Sequence, residues 1–283
     1  MELYLVILFV GALLAGLLGS LTGLGGGIII VPLLTIGLGV DIKYAVGTSL
    51  VAVIATSSGA AVSYVKEGLT NFRIGMFLET ATTVGAICGA ALAAVISSWS
   101  LMIVFGVLLL YSSFNSFKNR KQEFLSVKEQ GIKEDSFAEK LKLDGTYPVS
   151  PGNNISYHAS HIGGGYLMMI LAGILSGLLG IGSGAFKVIA MDTIMKLPFK
   201  VSSATSNFMI GVTAAASAGV YLSRGYIDPV LSMMVVLGVL LGSMTGARVL
   251  MRSNTKILKV VFSIVILLLG IEMIRNGILD IIR

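Results

Sequence analysis

Moved along itself by 157 positions, this sequence meets its own copy. The shift carries Gly16 onto Gly173 and holds without a gap for over seventy residues. Gly23, Gly25 and Gly27 fall on Gly180, Gly182 and Gly184, and Lys43 falls on Lys200. Thr48 and Ser49 fall on Thr205 and Ser206, Tyr64 on Tyr221, Gly68 on Gly225, and Gly85 and Gly89 on Gly242 and Gly246. Chance does not align so many glycines in one register. The chain is therefore two related halves, and whatever one half can fold into, the other must be able to fold into as well.

Each half is built from long apolar stretches. Residues 3–21 and 260–270 are almost free of charge, and about 20 apolar residues cross the roughly 30 Å of a bilayer's hydrocarbon. Of the 283 residues, 55% are apolar and only 12% charged, against roughly 25% charged in soluble domains. A soluble core of this size could not hide so much apolar surface. The expected fold is an all-α integral membrane protein of many spans in a cell membrane, with the lipid bilayer as its surroundings. The formal charge of +6 does not mark a nucleic-acid binder, because the basic residues cluster at the ends of apolar runs. One cysteine, Cys88, cannot form a disulfide framework or a Cys-based metal site within the chain and reads as a small packing residue. The first apolar run lacks a basic leader and continues too far for a cleaved signal, so it reads as a retained helix.

The first half reads as segments at about 3–22, 28–39, 44–65, 73–97 and 100–117, and the second as about 164–179, 185–197, 201–222, 229–251 and 257–275. Pro229 suits a helix start. Five segments per half is an odd number, so the second half enters from the opposite face, which predicts two inverted repeats with Gly-rich broken or re-entrant helices. Placing Lys66, Arg73, Lys118, Arg120, Lys121, Lys196, Lys200, Arg248, Arg252, Lys256 and Lys259 on one side leaves Lys43, Arg224, Arg275 and Arg283 opposite. The richer side is the cytoplasm by the positive-inside rule, and both termini lie outside. The domains are then a first transmembrane repeat over 1–117, a cytoplasmic linker over 118–162 and a second transmembrane repeat over 163–283. The linker is polar and reads as partly helical, with turns at Pro148, Pro151, Gly152, Asn153 and Asn154. His158 and His161 have a spacing that could place two ligands on one helix face, but no Cys or carboxylate cluster follows them. Ordinary interfacial histidines are the better reading, and neither metal nor cofactor is expected.

Three sets of residues carry chemistry. The Gly-rich breaks, Gly23–Gly27 and Gly180–Gly184, each join a long helix to a segment too short to span. Irregular backbone at membrane depth survives only where protein or a water-filled cavity satisfies it, and a helix starting after the break would aim free amides into that cavity. Gly25, Gly26 and Gly27 with Gly182, Ser183 and Gly184 are thus expected to bind an anion, as in carriers with interrupted helices. Plain close packing is the competing reading. A nucleotide-binding loop is excluded by the missing strand and lysine signature. The second set is Thr48 and Ser49 with Thr205, Ser206 and Asn207, hydroxyl and amide donors suited to an oxyanion unless they bond their own helices. The third is ionisable: Lys187, in the short segment of the second half where the first has Ile30, and Asp192, its expected ion-pair partner or a proton carrier. Each costs on the order of 3 kcal/mol in hydrocarbon unless paired or wet. Glu79 reads as interfacial. Gly85/Gly89 and Gly242/Gly246 read as close helix contacts, and Trp99 as an interfacial anchor.

At the paired Gly-rich motifs, at Pro32 after the first of them and at the paired Thr-Ser motifs, the sequence resembles the TauE/SafE family of sulfite-exporter-like permeases. The resemblance covers nearly all of the chain except the linker. It implies transport of sulfite, sulfoacetate or another organosulfur anion, usually outward across the bacterial inner membrane. The chain departs from the commonest pattern in Ser183 where a glycine is usual, in Ile189 where the first half has Pro32, and in the added Lys187. An anion channel, or a receptor with a regulatory cytoplasmic loop, is the alternative to a permease. The residues leave open whether copies of the chain associate, and no intramembrane catalytic pair is present to suggest an enzyme. A cysteine placed at Ser136 should resist membrane-impermeant labels added outside intact cells; efficient labelling there would remove the linker from the cytoplasm.

Overall fold

The computed structural model describes residues 2–22, 26–66, 68–118, 141, 143–150, 153–250 and 255–282. In chain order these form α1 (Glu2–Thr22), α2 (Gly27–Pro32) widening into a π turn (Leu33–Gly37), α3 (Ile42–Lys66), α4 (Phe72–Val95) and α5 (Ser98–Lys118). A hairpin follows, β1 (Gly145–Ser150) and β2 (Asn153–Tyr157). Then come α6 (Ile162–Leu179), α7 (Gly184–Ile189) widening into a second π turn (Ala190–Ile194), α8 (Phe199–Ser223), α9 (Pro229–Leu250) and α10 (Thr255–Ile282).

The sequence offset reappears in these boundaries. α2, its π turn and α3 begin and end 157 positions before α7, its π turn and α8, and α5 and α10 start 157 positions apart. Pro32, which lacks an amide hydrogen, would account for the first widened turn. The second half widens at the same place with Ile189 in that position, so the widening belongs to the fold. Corresponding residues also cap corresponding helices: Asn71 Oδ1 accepts from the Ile74 amide ahead of α4, and Asp228 Oδ1 from the Leu231 amide ahead of α9. Pro229 opens α9 as the sequence suggests, whereas α10 runs seven residues beyond its expected end.

The long helices pair across the halves. α1 lies along α9 and α6 along α4, while α3 packs on α8 and α5 on α10; exchanging the halves leaves this set unchanged. Gly85 and Gly89 of α4 face Ile170 and Ile174 of α6, and Gly238 and Gly242 of α9 face Phe9 and Leu13 of α1, so these pairs run parallel. Gly106 of α5 faces Ile274 of α10 while Gly277 faces Ile103 and Trp99, so α5 and α10 run antiparallel. So do α3 and α8, where Gly211 meets Ser57 and Tyr44 stands edge-on to Tyr226 just past α8.

Glycine makes these approaches possible. A Cβ on Gly173 or Gly177 would overlap the carbonyl oxygen of Thr82 or Ala86, and one on Gly85 or Gly89 that of Ile170 or Ile174. In lipid, where apolar surface gains nothing by leaving water, such contact is what holds helices together. Gly85, Gly89 and Gly242 are the close contacts expected of them; the side-chain surroundings of Gly246 lie outside the described residues.

The outward faces are apolar, with Val84, Ile87 and Leu92 on α4, Val104, Val107 and Phe114 on α5, Leu167 and Leu171 on α6, and Leu237 and Leu241 on α9 all exposed. Trp99 is exposed in the first turn of α5. Polar residues instead lie inside, on α3 and α8. That inversion suits lipid and would be an aggregation liability in water. Among the described residues, α4 and α6 are long and apolar enough throughout to cross a membrane. Cys88 corrects its packing role: it is exposed on α4, because the face that α4 buries is carried by Gly85, Ala86, Gly89 and Ala90.

The described part of the linker is a hairpin and not a helix. β1 and β2 pair antiparallel, with Tyr147 opposite Ile155 and Pro148 opposite Asn154; Pro151 and Gly152 lie outside the described residues. Leu143, Tyr147 and Tyr157 pack onto Ile74, Leu78, Leu197 and Val201, and Asn71 Nδ2 donates to the Tyr157 hydroxyl at 2.8 Å. The hairpin thereby covers one end of α4 and α8. His158 precedes α6 and sits 3.1 Å from Asp144, while His161 lies beside Ser160, so the two rings do not share a helix face. Replacing Gly177 by Leu should force α4 and α6 apart, at a cost of about 1–3 kcal/mol or more. Gly163→Ala, which meets nothing within 4 Å, should be neutral. Thermal unfolding of the purified variants, followed by size-exclusion, measures the difference.

Candidate functional site

The second break turns through left-handed backbone at Gly180, Gly182 and Ser183, with φ of 69°, 70° and 50°. Only Ser183 carries a side chain there, where glycine would be unstrained. Its counterpart in the first break, Gly26, is right-handed at φ −65°, so the two breaks differ in backbone as well as in side chain. They nonetheless meet. A Cβ on Gly27 would lie 2.6 Å from the Gly180 carbonyl oxygen and 2.5 Å from Ser49 Oγ, and the Ser49 hydroxyl donates to that same carbonyl at 2.7 Å. Gly182 is hemmed in by Ile210 and Val53. The breaks are thus held between α3 and α8.

Around this meeting point the expected donors divide. Ser49 bonds Gly180 as above, Ser206 donates to the Gly184 carbonyl at 3.2 Å, and Asn207 Nδ2 to the Ser203 carbonyl one turn back. Thr205 Oγ1 accepts from the Asn71 amide at 3.0 Å, tying the start of α4 to α8. Thr48 and Ser183 are buried, and neither hydroxyl has a hydrogen-bond partner; the same is true of Ser202. Gly26 offers its carbonyl to the Ile29 and Ile30 amides. Gly25 lies outside the described residues. α2 and α7 are six residues each before they widen, so the dipole end expected at each break is that of a very short helix.

Lys187 is fully buried, and its partner corrects the sequence reading. Asp192 lies five residues on, in the second π turn, half-buried and with Lys196 as its charged neighbour. The carboxylate that faces Lys187 belongs to Glu79 of α4, expected at the interface but only 4% exposed. Lys187 Nζ is 3.6 Å from Glu79 Oε2 and donates to Thr213 Oγ1 of α8. Thr213 donates to Glu79 Oε1 at 2.6 Å, Thr83 Oγ1 approaches the same oxygen at 3.3 Å, and Thr82 Oγ1 lies 3.5 Å from Thr213 Oγ1. Glu79 Oε2 has no hydrogen-bond donor. The reason for the different partner is geometric: α7 is packed against α8 and α6, and α4 packs against both of these, so Lys187 looks across to α4 and not along its own segment.

Neither Glu79 nor Thr213 stood out in the sequence as a site residue. Comparing the halves position by position would have found the cluster. Lys187, Glu79 and Thr82 stand where the other half has Ile30, Val236 and Val239, with Thr213 matched by Thr56. The equivalence holds in space, since Thr56 and Val239 flank Gly26 at 3.4 and 3.6 Å from its Cβ position. The cluster joins Glu79 and Thr82 of the first half to Lys187 and Thr213 of the second, and the site related to it by exchanging the halves is apolar, with Ile30 and Val236 in place of the charged pair.

Comparison with known proteins agrees with this architecture. The family model for the sulfite exporter TauE/SafE matches residues 8–273. The probable membrane transporter protein YunE of Bacillus subtilis is 30% identical over 96% of this chain and 98% of its own length. MJ0441 of Methanocaldococcus jannaschii, of the same description, is 24% identical over 96% of each chain. An Arabidopsis thaliana protein named sulfite exporter TauE/SafE family protein 5 is 31% identical over 38% of this chain and 24% of its own. No solved structure matches the chain significantly. The matched span takes in both breaks and the buried cluster, and the chain belongs to the TauE/SafE sulfite exporter family, a membrane transporter and not an enzyme.

Proposed function

We propose that this protein is a multi-pass secondary carrier of a small anion, sulfite, sulfoacetate or another organosulfur anion, moving it outward across the plasma membrane of a prokaryote by alternating access. The observation that carries the reading is Lys187, a fully buried cation one turn beyond the second break, with unpartnered hydroxyls on Thr48, Ser183 and Ser202 in the same interior. Ionisable groups at such depth are retained for substrate or ion handling far more often than for stability. The breaks, Thr48, Ser183 and Lys187 form the proposed substrate path. Ser49, Thr205, Ser206 and Asn207 shape it through their bonds to backbone.

Two inverted repeats would move the anion by alternating access. Helices that correspond by sequence, α3 with α8 and α5 with α10, run antiparallel against each other, which is what a two-fold axis in the membrane plane requires. The charge tally favours a cytoplasmic linker, and it fits the way Lys43 meets Ala94 and Tyr226 at one end while Asn71, Leu143 and Tyr157 gather at the other. The resemblance, the family description and the name of the Arabidopsis relative favour sulfur anions. The sequence carries no nucleotide-binding signature, so the energy comes from solute or ion gradients or from a separate partner subunit.

Purified protein in vesicles preloaded with unlabelled sulfite or sulfoacetate should take up the labelled anion by saturable counterflow. Lys187→Met should lower that uptake about tenfold or more, the loss expected for a charge-assisted contact. Conductive flux without counterflow would make the protein a channel. Normal uptake by Lys187→Met would take the lysine out of the path.

A further inference from the structure

Glu79 faces Lys187 across a separation too long for a direct hydrogen bond, and one of its buried oxygens, Oε2, has no donor. Resting on the anion-carrier reading above, we infer that Glu79 is the proton-binding site of this transporter, and that protonation of its Oε2 is what releases Lys187 to the anion. Charge balance argues for it. The empty site holds one buried carboxylate and one buried ammonium, and is neutral. An anion arriving beside Lys187 would leave two negative charges on one cation in a medium that screens neither. A proton taken from water to form an O–H bond at Oε2 cancels the excess, and its release on the far side with the anion returns the pair. Anion and proton therefore move in the same direction, and outward export is driven by accumulation of the anion inside.

The duplication gives an independent reason. Exchanging the halves puts Ile30, Val236 and Val239 at the positions of Lys187, Glu79 and Thr82, so this fold packs there without charge. A buried ion pair gains little or nothing in stability over apolar groups of similar size; its presence at one of two equivalent sites calls for a use. The charged and titratable groups on the surrounding elements are Arg73 and the outward-facing Cys88 on α4 itself, Tyr166 on α6, Lys187 and Asp192 on α7 and its π turn, and Lys200 and Tyr221 on α8. Lys187 is the one brought to 3.6 Å of the Glu79 carboxylate, with Thr213 and Thr83 as hydroxyl neighbours.

The test uses vesicles containing a trapped pH dye, with the membrane voltage held at zero by potassium and valinomycin, and radiolabelled sulfoacetate, sulfate and thiosulfate as probes. Wild-type uptake should acidify the interior. An inside-alkaline gradient should drive accumulation, up to about tenfold per pH unit for each proton carried. Glu79→Gln should reduce the accumulation ratio to unity, and Glu79→Asp should restore part of it. Wild-type net uptake with no pH change and no response to the gradient would overturn the proton site and leave the anion reading standing. Wild-type accumulation retained in Glu79→Gln would also overturn it. Absence of flux for every probe in the wild type would overturn the anion reading and the proton site together. Should Glu79→Gln fail to fold, the wild-type dye measurement decides alone.

Discussion

A polypeptide inside hydrocarbon has no water to receive an unpaired amide or carbonyl, and two interrupted segments at depth must find their partners in protein. Here they find them in each other and in α3 and α8. Ser49, on the helix after the first break, donates to Gly180 at the start of the second, and Gly27 is close enough to that carbonyl that any side chain would displace it. The breaks can therefore exist only together. Most else follows: glycine where backbones touch, hydroxyls on α3 and α8 where the breaks need donors, and apolar residues on the outer helices that face lipid.

Duplication makes the charged cluster interpretable. Alone, Lys187 and Glu79 would be one more buried pair, with desolvation and attraction nearly offsetting each other. The site related by exchanging the halves supplies the control, since Ile30 of the first half and Val236 of the second stand in the same fold at the same places. The two halves share scaffold, caps, π turns and glycine contacts, and differ where charge sits. The functional weight accordingly falls on one of two related sites, and each half contributes to it.

Much of the scaffold was legible in the sequence because it is periodic. Gly85, Gly89 and Gly242 announced their contacts by spacing, Pro229 announced a helix start, and the offset of 157 positions anticipated boundaries that the helices keep. The site was less legible, for physical reasons. Lys187 was visible as a lone charge in an apolar run, but its partner lies more than a hundred residues away on α4, and nearness in sequence pointed to Asp192 instead. Glu79 looked interfacial because Arg73 precedes it by fewer than two turns, yet α4 buries that face against α8. The hairpin was missed because its strands are short and their partners are the helix ends of Ile74 and Val201, not one another alone. Thr205 and Asn207 read as ligand donors from composition, whereas their bonds to Asn71 and Ser203 depend on helix geometry that no local pattern displays.

The account turns on a charge pair kept for transport and not for folding. Its most direct test copies the apolar site into the charged one, as the double variant Glu79→Val/Lys187→Ile, and measures thermal unfolding and anion counterflow on the same preparation. The account expects a protein that melts no lower than the wild type and carries no anion, while Lys187→Ile alone melts lower because it leaves Glu79 buried and unpaired. A double variant that still carries anion, or that unfolds as readily as the single one, would contradict it.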